Sequence, residues 1–142
     1  MHSLVMPMLS LMSLTAFVWV WMYITRIGYM QKNHIDPQAV FSRVRLLQVL
    51  PDEIQAPANN LNNLLELPVI FYGLCLLNLI QQTTSDSLLN LAWLYVVLRV
   101  IHSLIQCSYN KVIHRFTVYF LSSIVLWLML AISIQQALSS SS

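Results

Sequence analysis

Charged residues are scarce in this chain of 142 residues. Asp, Glu, Lys and Arg make up 8% of the sequence, against roughly 25% in ordinary globular proteins. Seven basic and five acidic residues are too few to cover the surface of a soluble domain of this size. Two glycines also argue against a small all-β fold with many tight turns. With 58% apolar residues, the composition predicts an integral membrane protein.

Residues with metal-binding or disulfide spacing are also lacking. Cys75 and Cys107 lie far apart in apolar segments, which indicates two packed thiols. The four histidines show no spacing typical of metal ligands. The formal net charge of +2 is too small to indicate a polyanionic partner. We therefore expect neither a metal site nor a nucleic-acid partner.

Four long apolar segments occur along the chain, at residues 3–25, 61–80, 88–107 and 116–134. Because a helix rises about 1.5 Å per residue, each segment can cross a hydrocarbon core of roughly 30 Å. The polar residues 26–60 predict a loop on the cytoplasmic side, with a short helix after Pro37. The sequence thus predicts one all-α membrane domain over residues 1–142, a four-transmembrane-helix bundle.

Basic residues are confined to the connections on one side of this bundle. Those connections contain six of the seven Lys and Arg residues: Arg26, Lys32, Arg43, Arg45, Lys111 and Arg115. The termini and the 81–87 turn contain none. By the positive-inside rule, both termini face away from the cytoplasm. The short loops and the lack of a targeting signal favour a bacterial inner membrane.

Two polar clusters interrupt the second and third apolar segments. Helical spacing places the members of each cluster on one face: Asn59, Asn63 and Glu66 in the second segment, and Arg99, His102 and Gln106 in the third. Both clusters belong to the segment ends that meet the basic connections. Ionisable residues within membrane spans are costly and therefore indicate a functional site. We expect a shared polar pocket that opens towards the cytoplasm.

Two interpretations of this pocket differ in what balances its charges. A structural pair between Glu66 and Arg99 would hold the helices together. One carboxylate cannot neutralise Arg99, Lys111 and Arg115 together, so the excess of cations favours an anionic ligand. Pro68 also predicts a kink beside the pocket, because a proline cannot donate a helical hydrogen bond.

The order of these motifs resembles the MAPEG family, the membrane-associated proteins of eicosanoid and glutathione metabolism. The resemblance rests on N-x-x-E-x-P in the second span (Asn63, Glu66, Pro68) and R-x-x-H in the third (Arg99, His102). It implies a bacterial-type member that assembles as a homotrimer. It also implies that glutathione, as co-substrate, binds between subunits near the cytoplasmic face.

The resemblance assigns roles to individual positions. It implies glutathione binding by Asn63, Glu66, Arg99, His102, Gln106 and Lys111. It implies a catalytic role for Arg115, because a nearby cation favours the thiolate form of a thiol. Three positions depart from the family pattern: Asn59 stands where an arginine is common, Gln106 stands where a tyrosine is common, and Pro68 lies closer to Glu66 than the family's proline normally does.

The resulting hypothesis is a membrane-bound glutathione-dependent transferase or peroxidase. It would act on apolar electrophiles or lipid hydroperoxides, which reach it through the membrane lipids, by thiolate attack. One alternative is a non-catalytic lipid- or partner-binding membrane protein on the same scaffold. Another is a proton-coupled exporter that uses Glu66, although Arg99 and His102 would hinder a cation path.

Overall fold

The structure, a computed structural model, describes residues 3–40 and 42–140, and these residues are helical apart from short connections. Its helices are α1 (Val5–Lys32), α2 (Arg43–Val49), α3 (Asp52–Leu65), α4 (Leu67–Ile80), α5 (Asp86–Cys107) and α6 (Val112–Ser140). A 3-10 turn at Pro37–Val40 precedes α2. Residues 1, 2, 41, 141 and 142 of the predicted domain lie outside the described residues.

Four stretches of helix are long and apolar enough to cross a membrane: Val5–Lys32, Asp52–Ile80, Asp86–Cys107 and Val112–Ser139. They confirm the predicted four-helix membrane bundle. The helices extend past the apolar segments, as α1 does by continuing to Lys32. An apolar run marks the part that lipid surrounds, whereas the backbone hydrogen bonds of a helix continue through polar residues.

The predicted loop 26–60 is more helical than we expected. The short helix after Pro37 is present as α2, and its N-cap Ser42 accepts a hydrogen bond from the backbone N–H of Arg45 (3.3 Å). The helix of the second span begins already at Asp52. Pro51 before this helix and two acidic residues in its first turn are typical start signals, because acidic side chains stabilise a helix N-terminus.

The kink predicted from Pro68 is present as a break in the second span. Helix α3 ends at Leu65 and α4 begins at Leu67, so Glu66 alone separates them. The ring of Pro68 removes the donor that would bond to the carbonyl of Leu64 and continue the helix. The break therefore places Glu66 at a discontinuity in the helix.

Helix α5 is the most buried of the four candidate spans. It packs against α1, α3 and α6, while α4 packs against α6. The core includes buried apolar residues from all four spans: Leu11, Phe71, Ala92, Tyr95, Leu126 and Met129. Large apolar side chains also cover the outside of the bundle, among them Phe17, Leu76, Leu94 and Phe120. An apolar exterior around an apolar core is what a bilayer requires.

Candidate functional site

A groove lies between α3, α5 and α6, at the end of the bundle that carries the basic connections. Its volume is about 450 Å³, within the range of roughly 300–1,000 Å³ typical of small-molecule sites. Its lining residues are Asn59, Asn62, Asn63, Glu66, His102, Gln106, Val112, Arg115, Phe116 and Tyr119. Five of the seven predicted site residues therefore share one hollow: Asn63, Glu66, His102, Gln106 and Arg115.

A hydrogen-bond network joins α3 to α5 on the floor of this groove. Asn63 Nδ2 donates to Gln106 Oε1 (3.1 Å). The same oxygen accepts from His102 Nε2 (2.9 Å). His102 and Gln106 lie one turn apart on α5 and are almost fully buried. The side-chain oxygen of Gln106 thus accepts both of these hydrogen bonds, and Gln106 holds Asn63 and His102 in place.

The second ring nitrogen of His102 connects α5 to α6. His102 Nδ1 donates to the backbone oxygen of Arg115 (3.2 Å), since a carbonyl only accepts. Both ring nitrogens of His102 therefore contact oxygen atoms, and the ring links Gln106 on α5 to the backbone of α6.

The turn between α5 and α6 positions the side chain of Arg115. Asn110 adopts a left-handed conformation with φ of 46°, which asparagine tolerates better than most residues. Its backbone N–H donates to the oxygen of Ile105 (2.8 Å). Its side-chain Oδ1 accepts from a terminal nitrogen of Arg115 (2.7 Å). One residue therefore closes the turn and orients the cation at the groove.

Arg99, in contrast, does not line the groove. Its exposed fraction is 0%, and among the described residues its three guanidinium nitrogens have no hydrogen-bond partner. The guanidinium carbon lies 5.1 Å from the ring centroid of Tyr95 and 4.6 Å from that of Tyr119. The aromatic faces stabilise the cation electrostatically.

The predicted structural pair between Glu66 and Arg99 is not formed, so that interpretation is wrong. Glu66 is exposed at the groove, whereas Arg99 is enclosed between the rings of Tyr95 and Tyr119. Arg99 lies nearly one helical turn before His102 on α5, and at that level the helix face meets α6. The spacing identified the correct face of α5, but it did not identify the helix that this face contacts.

Lys111 also lies outside the groove lining. It is exposed and immediately precedes α6. The next residue, Val112, does line the groove, so Lys111 stands close to its edge along the chain. Tyr109, the nearest tyrosine after His102 in sequence, is exposed and contacts His114 (3.1 Å) instead.

Tyr119 is the main residue that the sequence analysis missed. Its ring lines the groove, and its centroid lies 5.6 Å from that of His102. It follows Arg115 by four residues on α6, a spacing that puts both side chains on one helix face. Extending the face of Arg115 by one turn would have found it.

A second set of polar contacts joins α3 to α5 beside the groove. Asn60 on α3 is fully buried, and its Oδ1 accepts from the hydroxyl of Ser103 on α5 (3.2 Å). Its amide nitrogen contacts the sulfur of Cys107 (3.6 Å). Because such bonds between membrane helices are worth about 0.6–2 kcal/mol each, Asn60 and Asn63 together stabilise the α3–α5 contact that forms the groove.

These features define a class: a polytopic helical membrane protein with a mixed polar and apolar groove at one end of its bundle. The sequence model of the MAPEG family matches residues 4–135. The chain therefore belongs to the MAPEG family, the membrane proteins of glutathione and eicosanoid metabolism. Neither the curated proteins nor the solved structures gave a match to it.

Proposed function

We propose that this protein is a membrane-bound glutathione-dependent transferase or peroxidase that acts on apolar electrophiles or lipid hydroperoxides. The observation that carries the proposal is the groove, in which Arg115, His102 and Glu66 share one hollow with several amides. Membership of the MAPEG family supports glutathione as the co-substrate.

The lining of the groove suits the groups of glutathione, which has two carboxylates, one ammonium and one thiol. Glu66, the one acidic residue among the described residues that line the groove, would bind the ammonium. The amide N–H groups of Asn63 and Gln106 would bind a carboxylate, and His102, whose ring nitrogens contact Gln106 and the backbone of Arg115, would hold Gln106 in place. Lys111 would bind the outer carboxylate at the edge. Arg99 would act indirectly, by packing against Tyr119.

Arg115 would be the catalytic residue. Its guanidinium would stabilise the glutathione thiolate, which is the nucleophile. In conjugation, the sulfur forms a bond to an electrophilic carbon and the leaving group departs with its electron pair. In peroxide reduction, the sulfur attacks the peroxide oxygen, the O–O bond breaks, and the alkoxide takes a proton. The sulfenic form of glutathione then reacts with a second glutathione to give the disulfide and water.

An apolar substrate would reach the groove from the bilayer. Val112 and Phe116 line the groove and are also 66% and 64% exposed. The α6 side of the groove is therefore continuous with the outer apolar surface of the bundle. This continuity favours electrophiles and hydroperoxides that dissolve in lipid over water-soluble ones.

The first test measures binding and turnover on the purified full chain in detergent. We expect glutathione binding by calorimetry, and turnover with a chlorodinitrobenzene or with cumene hydroperoxide. Arg115→Ala should lower kcat about a hundredfold, while Lys32→Ala, which changes a basic residue outside the groove, serves as the matched control. No binding at millimolar glutathione would contradict the proposal.

The same test decides the alternative of a non-catalytic binding protein. That alternative is favoured by Asn59 and Gln106, which line the groove at positions where the family commonly has an arginine and a tyrosine. Glutathione binding without turnover of either substrate would support it. Turnover that depends on Arg115 would exclude it.

We also propose, from family membership, that the chain assembles as a homotrimer. From the short loops we propose a bacterial inner membrane, and from the positive-inside rule we propose that both termini face away from the cytoplasm. A neighbouring subunit would close the open side of the groove. Light scattering on detergent-solubilised protein measures the subunit number. Activity of a reporter enzyme fused to the C-terminus in intact cells measures the orientation.

A further inference from the structure

Arg99 carries a positive charge that the fold encloses completely. Its exposed fraction is 0%, and among the described residues its guanidinium nitrogens have no hydrogen-bond partner. A guanidinium group stays protonated in proteins, so the charge is present. Because one chain alone achieves this enclosure, a neighbouring subunit cannot reach the cation to neutralise it.

Acidic side chains do not compensate this charge in the part of the chain that the structure describes. The five acidic residues of the sequence are Asp36, Asp52, Glu53, Glu66 and Asp86. All five are exposed, and helices α4 and α6 contain none of them. The interior of the bundle therefore holds a cation without a counter-ion.

Two aromatic rings take the place of water around the cation. The ionisable groups nearest to it are the phenols of Tyr95 on α5 and Tyr119 on α6, and Tyr72 on α4 interacts with Tyr95. Phenols are neutral at physiological pH. Cation–π contacts recover only part of the free energy that a charge loses on leaving water. A costly charge within a membrane span indicates a function.

A single ring separates this charge from the groove. Tyr119 contacts Arg99 and also lines the groove. An anion in contact with the other face of the ring would lie within about 9 Å of the guanidinium carbon, since the contact adds roughly 4 Å to the 4.6 Å on the near side. At an effective dielectric constant of about 20, a unit charge at this distance changes the ionisation equilibrium of a group by roughly tenfold or more.

A second link between Arg99 and the groove is the ring of His102. This ring lines the groove, and the charges of Arg99 and Arg115 both act on it. Glu66 is the one acidic residue among the described groove-lining residues, and its charge opposes them. Two cations therefore influence the same space, although Arg115 alone of the two lines it.

We propose that Arg99 favours an anion in the groove through its charge alone, without contacting that anion. The identity of the anion rests on the proposed function, which makes it the glutathione thiolate. Arg115 contacts the sulfur, whereas Arg99 supplies a fixed positive potential from behind Tyr119, where water does not screen it. Arg99 touches neither substrate nor sulfur, so it is a positioning residue and not a catalytic one.

The test follows thiolate formation on the purified full chain in detergent. The ultraviolet absorbance of bound glutathione thiolate is recorded against pH for the unchanged protein, Arg99→Met and Arg99→Lys. Loss of the cation disfavours the anion, so the midpoint in Arg99→Met should rise by about one pH unit, which is a tenfold change in the ionisation constant. Arg99→Lys keeps the charge and should shift the midpoint by less than half as much.

Three controls separate the buried charge from other effects. Lys32→Met removes an exposed charge outside the groove and should leave the midpoint unchanged. S-methylglutathione, which cannot form a thiolate, should bind Arg99→Met and the unchanged protein equally well. Arg99→Met should unfold at an equal or higher temperature, because an apolar side chain replaces an uncompensated buried charge.

Failure of the proposed function gives a different result from failure of this inference. If the unchanged protein binds no glutathione, the proposed function fails and inorganic sulfate becomes the probe. At constant ionic strength, sulfate should then bind Arg99→Met about tenfold more weakly than the unchanged protein, as measured by the rise in melting temperature.

Four results would overturn the inference. The first is an equal thiolate midpoint in Arg99→Met and the unchanged protein. The second is an equal shift in Arg99→Met and Arg99→Lys, which would assign the effect to the lost guanidinium plane. The third is a lower melting temperature or unfolding of Arg99→Met, which would give the charge a structural role. The fourth, with sulfate as the probe, is equal affinity in Arg99→Met and the unchanged protein.

Discussion

The guanidinium carbon of Arg99 on α5 lies 4.6 Å from the ring centroid of Tyr119 on α6. Tyr119 lines the groove on its other side. A fully buried cation thus supports the aromatic side of a site that it does not itself reach. Arg99 is a positioning residue in this arrangement.

The first prediction concerns the ring of Tyr119. Tyr119→Phe keeps an aromatic face for Arg99, so the free energy of unfolding should change by less than about 0.5 kcal/mol. Tyr119→Leu removes that face and should cost about 2 kcal/mol or more, the value of a desolvated cation–π contact. Denaturant unfolding in detergent measures both. Equal losses in the two variants would show that the ring does not stabilise Arg99.

The second concerns Glu66, which does not pair with Arg99. Glu66→Gln should therefore leave the unfolding midpoint unchanged. It should weaken glutathione binding about tenfold, because a hydrogen bond between charged groups is worth roughly 1.5–3 kcal/mol. Calorimetry measures the affinity, with Glu53→Gln at the start of α3 as the control. Unfolding of Glu66→Gln would show that the carboxylate has a structural partner after all.

The third concerns Arg115 and the thiolate. Arg115→Ala should lower kcat about a hundredfold, because it removes a charge that stabilises the reacting sulfur. The ultraviolet absorbance of bound thiolate should disappear in the same variant. Lys111→Ala should raise KM and keep the thiolate signal. If the Arg115 variant keeps that signal, another residue stabilises the thiolate.

The fourth concerns the amide network of Gln106. Gln106→Leu leaves Asn63 and His102 without a shared acceptor, and each buried polar group without a partner costs about 1–3 kcal/mol. We expect a lower unfolding midpoint and a higher KM for glutathione. Gln48→Leu on the exposed side of α2 is the control for the change of side chain. Equal midpoints for the two variants would contradict the network.

Local patterns accounted for much of the site. The helical spacing of Asn63 with Glu66, and of His102 with Gln106, placed four residues that the groove does bring together. Tyr119 was missed because α6 has no polar cluster comparable to those of α3 and α5, and the one sequence signal for it is its position one turn after Arg115 on the same helix face.

The sequence by itself determined the four apolar spans, the break at Pro68 and the residues that face the basic end of the bundle. These follow from hydropathy, helical periodicity and the missing donor of proline, all of which act along one helix. Only the tertiary structure decided that Arg99 packs between two tyrosines and that Glu66 stands apart from it. The rotation of each helix about its axis depends on the packing of all its neighbours, and this non-local balance is not visible in the spacing of residues along one chain segment.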